Sequence, residues 1–384
     1  MKRMGWILVV CCLLLSAVPL RADAVALEVA GKSAVLMDVA TGTVLYESNS
    51  HEALAPASVT KVMTMLLIME AVDSGKIGWD DQVTASEAAS SKGGSQIYLK
   101  AGESMTVTDM VKSIAVSSAN DCACAMAEHL CGSEAGFVEQ MNKRAKELGM
   151  NDTTFVNCTG LDDAPEAANH KTSAYDIALM SRQLLKNHPD IKKFTTIWMD
   201  TVRNGAFGLA NTNKMVRFYS GCTGLKTGFT SGAGYCLSAS AQRDGMELIA
   251  VVMGADTSQN RFAACKSMLD YGFSNFALYT PALPEGAEVP VVLGKAPSAA
   301  AVPAESAALL VEKGQLSTIT SEVKLEESVT APVSQGQRLG TLTIKSGEHV
   351  LSQIPLVAET TVARKGWGDL FVDILRHIAM AKPR

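Results

Sequence analysis

Residues 55–72 read Ala-Pro-Ala-Ser-Val-Thr-Lys-Val-Met-Thr-Met-Leu-Leu-Ile-Met-Glu-Ala-Val. From Ser58 onward, Met63, Leu66, Leu67, Met69 and Val72 recur at helical spacing, and Gly75 closes the run. On its N-terminal side, residues 33–38 and 43–47 read as short strands around the turn Ala40-Thr-Gly42. Downstream, residues 80–200 read as mostly helical. Residues 236–241 and 248–253 return to strand, and a helix follows from about Ser258 to Gly272. Strands, helices, strands and a helix in that order predict an α/β domain, with a largely antiparallel sheet flanked by helices.

The chain has 384 residues, enough for two cores. With 47% hydrophobic and 19% charged residues it is globular in composition, which excludes a disordered chain. Its net charge of -5 gives no electrostatic case for nucleic acid. Residues 1–24 read as a signal peptide: Lys2 and Arg3, an apolar run from Trp6 to Leu20, then Ala22-Asp-Ala24 as a small-x-small cleavage site. Residues 25–281 form the main predicted domain. Residues 282–362 read as a smaller all-β domain, with 296–308, rich in Ala, Ser and Pro, as a loop within it. In residues 363–384, Trp367, Leu370, Phe371, Ile374, Leu375 and Ile378 follow one helix face beside Arg364, Lys365, Arg376, Lys382 and Arg384. That pattern suits an amphipathic helix lying in a membrane surface.

Outside the signal seven cysteines remain, an odd number for an exported chain. Cys122, Cys124 and Cys131 fall in an apolar helical stretch with no histidine pair, and read as buried thiols rather than metal ligands. The chain has no His-Glu-x-x-His motif and no Gly-x-Ser-x-Gly elbow. His170 reads as a structural histidine.

Three short motifs carry the chemistry: Ser58-Val-Thr-Lys61, Ser118-Ala-Asn120 and Lys226-Thr-Gly228. At a helix start, i and i+3 share a face, so the Lys61 amine reaches the Ser58 hydroxyl. Serine needs a local base, and a lysine serves only when neutral; burial and a second cation, with Lys226 the candidate, favour that form. A second match, Ser321-Glu-Val-Lys324, lies among the strand-like alternation of Ile319, Val323 and Leu325, which would send its two side chains to opposite faces. Ser118 and Asn120 could instead cap a helix. A hydroxyl at 118 can relay a proton, and the Asn120 amide can hold Lys61. Gly228 lets a backbone approach a ligand closely.

With these motifs, and with Ala55–Lys61, Gly224–Gly228 and Ala233-Gly-Tyr-Cys-Leu237, the chain resembles the low-molecular-mass penicillin-binding proteins of the D-alanyl-D-alanine carboxypeptidase family. Trp198-Met-Asp-Thr201 and Asn211-Thr-Asn213 are similar to its sporulation-associated members. Ala119 departs from the commoner Gly or Asp. The resemblance implies a penicillin-binding, β-lactamase-like transpeptidase fold over residues 25–281. It implies removal of the terminal D-alanine from peptidoglycan stem pentapeptides through a Ser58 acyl-enzyme, with no cofactor and no metal. Lys61 would be the base, assisted by Ser118 and Asn120. The N–H groups of Ser58 and Phe229 would form the oxyanion hole, and Lys226, Thr227 and Arg261 would bind the terminal carboxylate. β-Lactam antibiotics would acylate Ser58, and the enzyme would sit peripherally on the outer face of the cytoplasmic membrane. A β-lactamase or a non-catalytic penicillin-binding sensor on the same fold is the alternative.

Overall fold

The computed structural model describes residue 27 and residues 29–380. The segment read as a signal, residues 1–24, lies outside the described residues, as do Lys382 and Arg384.

The main sheet has five strands: β1 (Ser33–Asp38), β2 (Val44–Ser48), β3 (Cys222–Thr230), β4 (Gly234–Arg243) and β5 (Met246–Ala255), ordered β2-β1-β5-β4-β3 with every pairing antiparallel. Alternation sorts its side chains into two cores. Val35, Met37, Ile249, Val251 and Met253 pack with the helix α1 (Lys61–Asp73). Ala34, Leu36, Leu248, Ala250 and Val252 pack with Ala264, Cys265, Met268 and Leu269 of the long helix Ser258–Asn275. Covered on both faces, β5 is buried at every position, which accounts for its unbroken apolar run.

Helix α1 is apolar around its whole circumference, so it is a buried helix rather than an amphipathic surface one. A second buried helix, α2 (Asn120–Cys131), lies against it. Residues 80–200 are less helical than their pattern predicts. They include the hairpins Gln82–Thr84 with Ser104–Thr106 and Met199–Val202 with Phe207–Ala210, and irregular segments at 91–103 and 148–173. Side-chain-to-backbone hydrogen bonds hold these segments, a device that leaves no periodic trace in sequence.

A six-stranded sheet forms a separate core from Val289, Val291, Ala299, Ala301, Leu342, Ile344, Ile354 and Leu356. The loop expected at 296–308 is in part a strand, Ser298–Pro303, paired on one side with Glu288–Val292 and on the other with His349–Ala358. Alanine is a poor strand former alone, but here Ala299 and Ala301 fill narrow inward positions between two pairing partners. The other Ser-x-x-Lys match lies in the strand Ile319–Leu325, where Ser321 and Lys324 leave opposite faces. A final helix, Trp367–Met380, carries exposed Trp367, Phe371, Ile374 and Leu375.

Candidate active site

The first and third motifs meet where the start of α1 runs beside the edge strand β3, and the second opens α2, which packs in the same core as α1. A 3-10 turn, Ala57–Thr60, leads into α1, with Ala57 held in the left-handed region at φ 48°. That conformation is costly for a residue with a Cβ and here lies one position before Ser58. Lys61 Nζ stands 2.9 Å from Ser58 Oγ and donates to Thr159 O at 2.8 Å. The amine is fully buried, and that desolvation lowers its pKa to about 7 against the opposing pull of Cys158 and Asp121. Burial, rather than a neighbouring cation, is what brings the titration of this lysine near neutral pH. The repulsion expected from Lys226 falls on Lys226 itself, which is also buried and pushed well below the usual lysine range, first by desolvation and then by Lys61 and Arg261.

A lysine held near 7 is protonated below that pH and neutral above it. The kcat/KM for the acyl-transfer substrate is therefore expected to rise with pH through about 7, the value set for Lys61. A profile flat across that region, in steady-state rates or in β-lactam acylation, would remove Lys61 from the role of base.

The residues Asn157–Leu161 wrap the turn from outside. Asn157 Oδ1 accepts from Thr159 N (3.1 Å) and Gly160 N (2.6 Å), and its amide nitrogen donates to Leu161 O (2.9 Å). Gly160, at φ 80°, lies so close that a Cβ there would meet Ala57 O at 1.8 Å. Beneath the turn, Thr60 Oγ1 donates to Ala57 O and lies 2.8 Å from His170 Nε2. His170 is buried, touches neither Ser58 nor Lys61 by a hydrogen bond, and is held to about 4 by burial and by the Lys61 charge. The structural reading of this histidine therefore stands, beside the site rather than away from it.

Ser118 is in the left-handed region (φ 63°) at the end of the helix Val107–Ser117, with Asn120 opening α2. The Asn120 amide nitrogen donates to Gly93 O at 2.7 Å and not to Lys61; its Oδ1 is buried without a hydrogen-bond partner. The expectation that Asn120 holds Lys61 is corrected: Thr159 O does so. Asp121 accepts from Ile97 N (3.1 Å) and Leu99 N (2.9 Å), which fastens the 91–103 segment to the second motif.

On β3, Lys226 Nζ donates to Thr227 O at 2.9 Å, and the Thr227 hydroxyl to Thr212 Oγ1 at 2.7 Å. A Cβ on Gly228 would lie 2.7 Å from Pro56 O and 3.0 Å from Ser58 N, so only a bare Cα lets β3 run beside the Ala57–Thr60 turn. Phe229 is exposed and stacks on Tyr235 with ring centroids 4.3 Å apart. Arg261 is buried, and its Nη1 donates to Gly228 O at 2.8 Å and Cys236 O at 3.2 Å.

Thr159, Gly160, Thr60 and Asp121 were not found as site residues from sequence. Asp121 alone left a signal, as an acid in the first turn of a helix. Cys122 and Cys124 are buried free thiols, whereas Cys131 is half-buried. The arrangement is a serine hydroxyl beside a buried amine that titrates near neutral pH, with a second buried amine on the adjoining edge strand, and such a set can support acyl transfer.

A family model described as D-alanyl-D-alanine carboxypeptidase matches residues 20–257, and one for the C-terminal domain of penicillin-binding protein 5 matches residues 280–364. The D-alanyl-D-alanine carboxypeptidase DacF of Bacillus subtilis (strain 168) is 46% identical, over 88% of this chain and 87% of that protein. The crystal structure of penicillin-binding protein 5 from Haemophilus influenzae superposes with a TM-score of 0.73 at 30% identity, covering 88% of this chain and 98% of that one. The ampicillin-bound form of penicillin-binding protein D2 from Listeria monocytogenes covers 64% of this chain and 99% of that one, with a TM-score of 0.59 at 33% identity.

Proposed function

Since the chain belongs to the D-alanyl-D-alanine carboxypeptidase family and is a serine-type enzyme of that activity, we propose that Ser58 is its nucleophile and Lys61 its base. The observation that carries this assignment is the buried Lys61 amine 2.9 Å from Ser58 Oγ. Lys61 takes the hydroxyl proton as Ser58 attacks the carbonyl of the penultimate D-alanine of a peptidoglycan stem pentapeptide. The N–H groups of Ser58 and Phe229 receive the oxyanion. Ser118 passes the proton to the leaving amine, D-alanine departs, and water, activated by Lys61, hydrolyses the ester. The unpartnered Asn120 Oδ1 is available to accept from a substrate amide. Lys226, Thr227 and the Nη2 of Arg261 receive the terminal carboxylate, whose negative charge restores the ammonium that burial disfavours at Lys226. β-Lactams acylate the same serine.

Residues 25–281 hold this chemistry, and residues 282–362 and 363–384 hold it against the wall. Residues 1–24 direct export, to the outer face of the cytoplasmic membrane. No described helix is long and apolar enough to cross a membrane. The Trp367–Met380 helix instead lies in the interface plane, with Trp367, Phe371, Ile374 and Leu375 exposed to lipid.

Mass spectrometry after benzylpenicillin treatment, with the adduct mapped by digestion, tests the site. The expected product is a penicilloyl group on the peptide containing Ser58, and an adduct on any other residue would overturn the assignment. Release of D-alanine from a pentapeptide, abolished in Ser58→Ala, excludes the sensor reading. A long-lived penicilloyl adduct excludes the β-lactamase one.

A further inference from the structure

The two peptide groups assigned to the oxyanion hole are Ala57–Ser58 and Gly228–Phe229. In a trans peptide the C=O and N–H point in opposite directions within one plane, so whatever holds the carbonyl aims the N–H. Both carbonyls are held from behind by buried side chains.

Ala57 O accepts from Thr60 Oγ1 at 2.8 Å. Thr60 Oγ1 is itself 2.8 Å from His170 Nε2. His170 Nδ1 accepts from Val156 N (3.1 Å) and, at 3.4 Å, from Asn157 N, so the ring proton of the neutral imidazole sits on Nε2. That proton is donated to Thr60 Oγ1, which leaves the threonine hydrogen a single direction, toward Ala57 O. The chain His170→Thr60→Ala57 is thus polar in one sense, and it ends on a peptide whose alanine sits in the left-handed region.

The other peptide is held by a charge. Arg261 Nη1 donates to Gly228 O at 2.8 Å and also reaches Cys236 O, the carbonyl of the cross-strand partner of Gly228. The guanidinium is fixed between the rings of Tyr235, at 5.3 Å, and Phe262, at 4.9 Å. Its Nε is buried with no hydrogen-bond partner, so the side chain is oriented by the Nη1 bonds and by ring packing.

We propose that the Thr60–His170 pair, and Arg261 through its Nη1 in addition to the carboxylate contact read for its Nη2, position the two oxyanion-hole peptides by clamping their carbonyl oxygens. They fix the direction of the Ser58 and Phe229 N–H groups and, by polarising each peptide, strengthen them as donors. One clamp is cationic and rigid. The other is neutral and relayed, which avoids placing a permanent cation against the Lys61 amine. This inference rests on the oxyanion-hole reading given above.

Infrared difference spectroscopy of the acyl-enzyme, with the β-lactam carbonyl carbon isotopically labelled, reads the clamp directly. The ester carbonyl stretch falls as the hole donates more strongly. Thr60→Val and Arg261→Gln are each expected to move the band to higher wavenumber, and Thr60→Val to slow acylation roughly 10-fold, less than the roughly 100-fold cost of deleting a hole donor outright; Arg261→Gln also loses the carboxylate contact, so its clamp is read from the band alone. Thr60→Ser, which keeps the hydroxyl, restores both. Only folded molecules form the ester, so the band is read in the native state. Should Thr60→Val form none, Thr60→Ala carries the same measurement for the Ala57–Ser58 peptide. A band at the parent position in either variant overturns the clamp on that peptide. An ester band that persists in Ser58→Ala overturns the underlying site assignment instead, so the two failures are told apart.

Discussion

Lys61→Met is expected to lower the acylation rate roughly 10³-fold to 10⁴-fold, for stem peptide and β-lactam alike, in a protein that still folds. Methionine matches the lysine stem in length and bulk but has no basic nitrogen, so Ser58 would face its substrate without a proton acceptor. The folding cost is small for a physical reason. Removing the amine leaves Thr159 O without its 2.8 Å donor, which destabilises, but it also removes a fully buried ionisable group, which stabilises. The two effects oppose each other, and a net change within about 2 kcal/mol follows. Stopped-flow acylation and a denaturant melt on the same sample check both halves. Acylation within tenfold of the parent would mean the proton goes elsewhere.

Gly160→Ala is expected to lower stability by about 3 kcal/mol or more and to lower acylation by about 10²-fold, through overpacking and a displaced nucleophile turn. Its Cβ would stand 1.8 Å from Ala57 O, 2.4 Å from Ala57 C and 2.7 Å from Thr60 Oγ1. Two of those three atoms are backbone, and they belong to the turn that carries Ser58, so relief can come only by moving that turn or the Asn157–Leu161 segment. The matched control is Gly149→Ala. Gly149 has nearly the same φ, 74°, but a Cβ there meets nothing within 4 Å. It should lose only the left-handed backbone term, about 1 kcal/mol, with acylation unchanged. Equal losses in the two variants would show that conformation, not contact with Ala57, sets the requirement for glycine at 160.

Legibility in the sequence followed range and residue type. The strands at 33–38 and 44–48, the helix from Lys61 and the pair β4 and β5 were readable because apolar periodicity is a local property. The strand Ser298–Pro303 was not, because its six residues carry weak propensity and are held by partners on both sides. Of the candidate site residues, those that stood out were unusual side chains at motif spacing: Ser58, Lys61, Ser118, Asn120 and Lys226. Those that did not are Thr159, which contributes only a carbonyl, Gly160, which contributes only the absence of a Cβ, and the Thr60–His170 contact across 110 positions.

The sequence by itself determined which side chains could do chemistry and, through the i, i+3 spacing at a helix start, that the hydroxyl of residue 58 and the amine of residue 61 would meet. Tertiary structure alone decided the state of that amine, by enclosing it completely, and brought the edge strand and the residues behind both carbonyls to the nucleophile turn. The division has one cause. Side-chain identity and short spacing are written in the chain, whereas desolvation and hydrogen bonds to backbone groups depend on what folding places nearby, and every residue offers the same carbonyl.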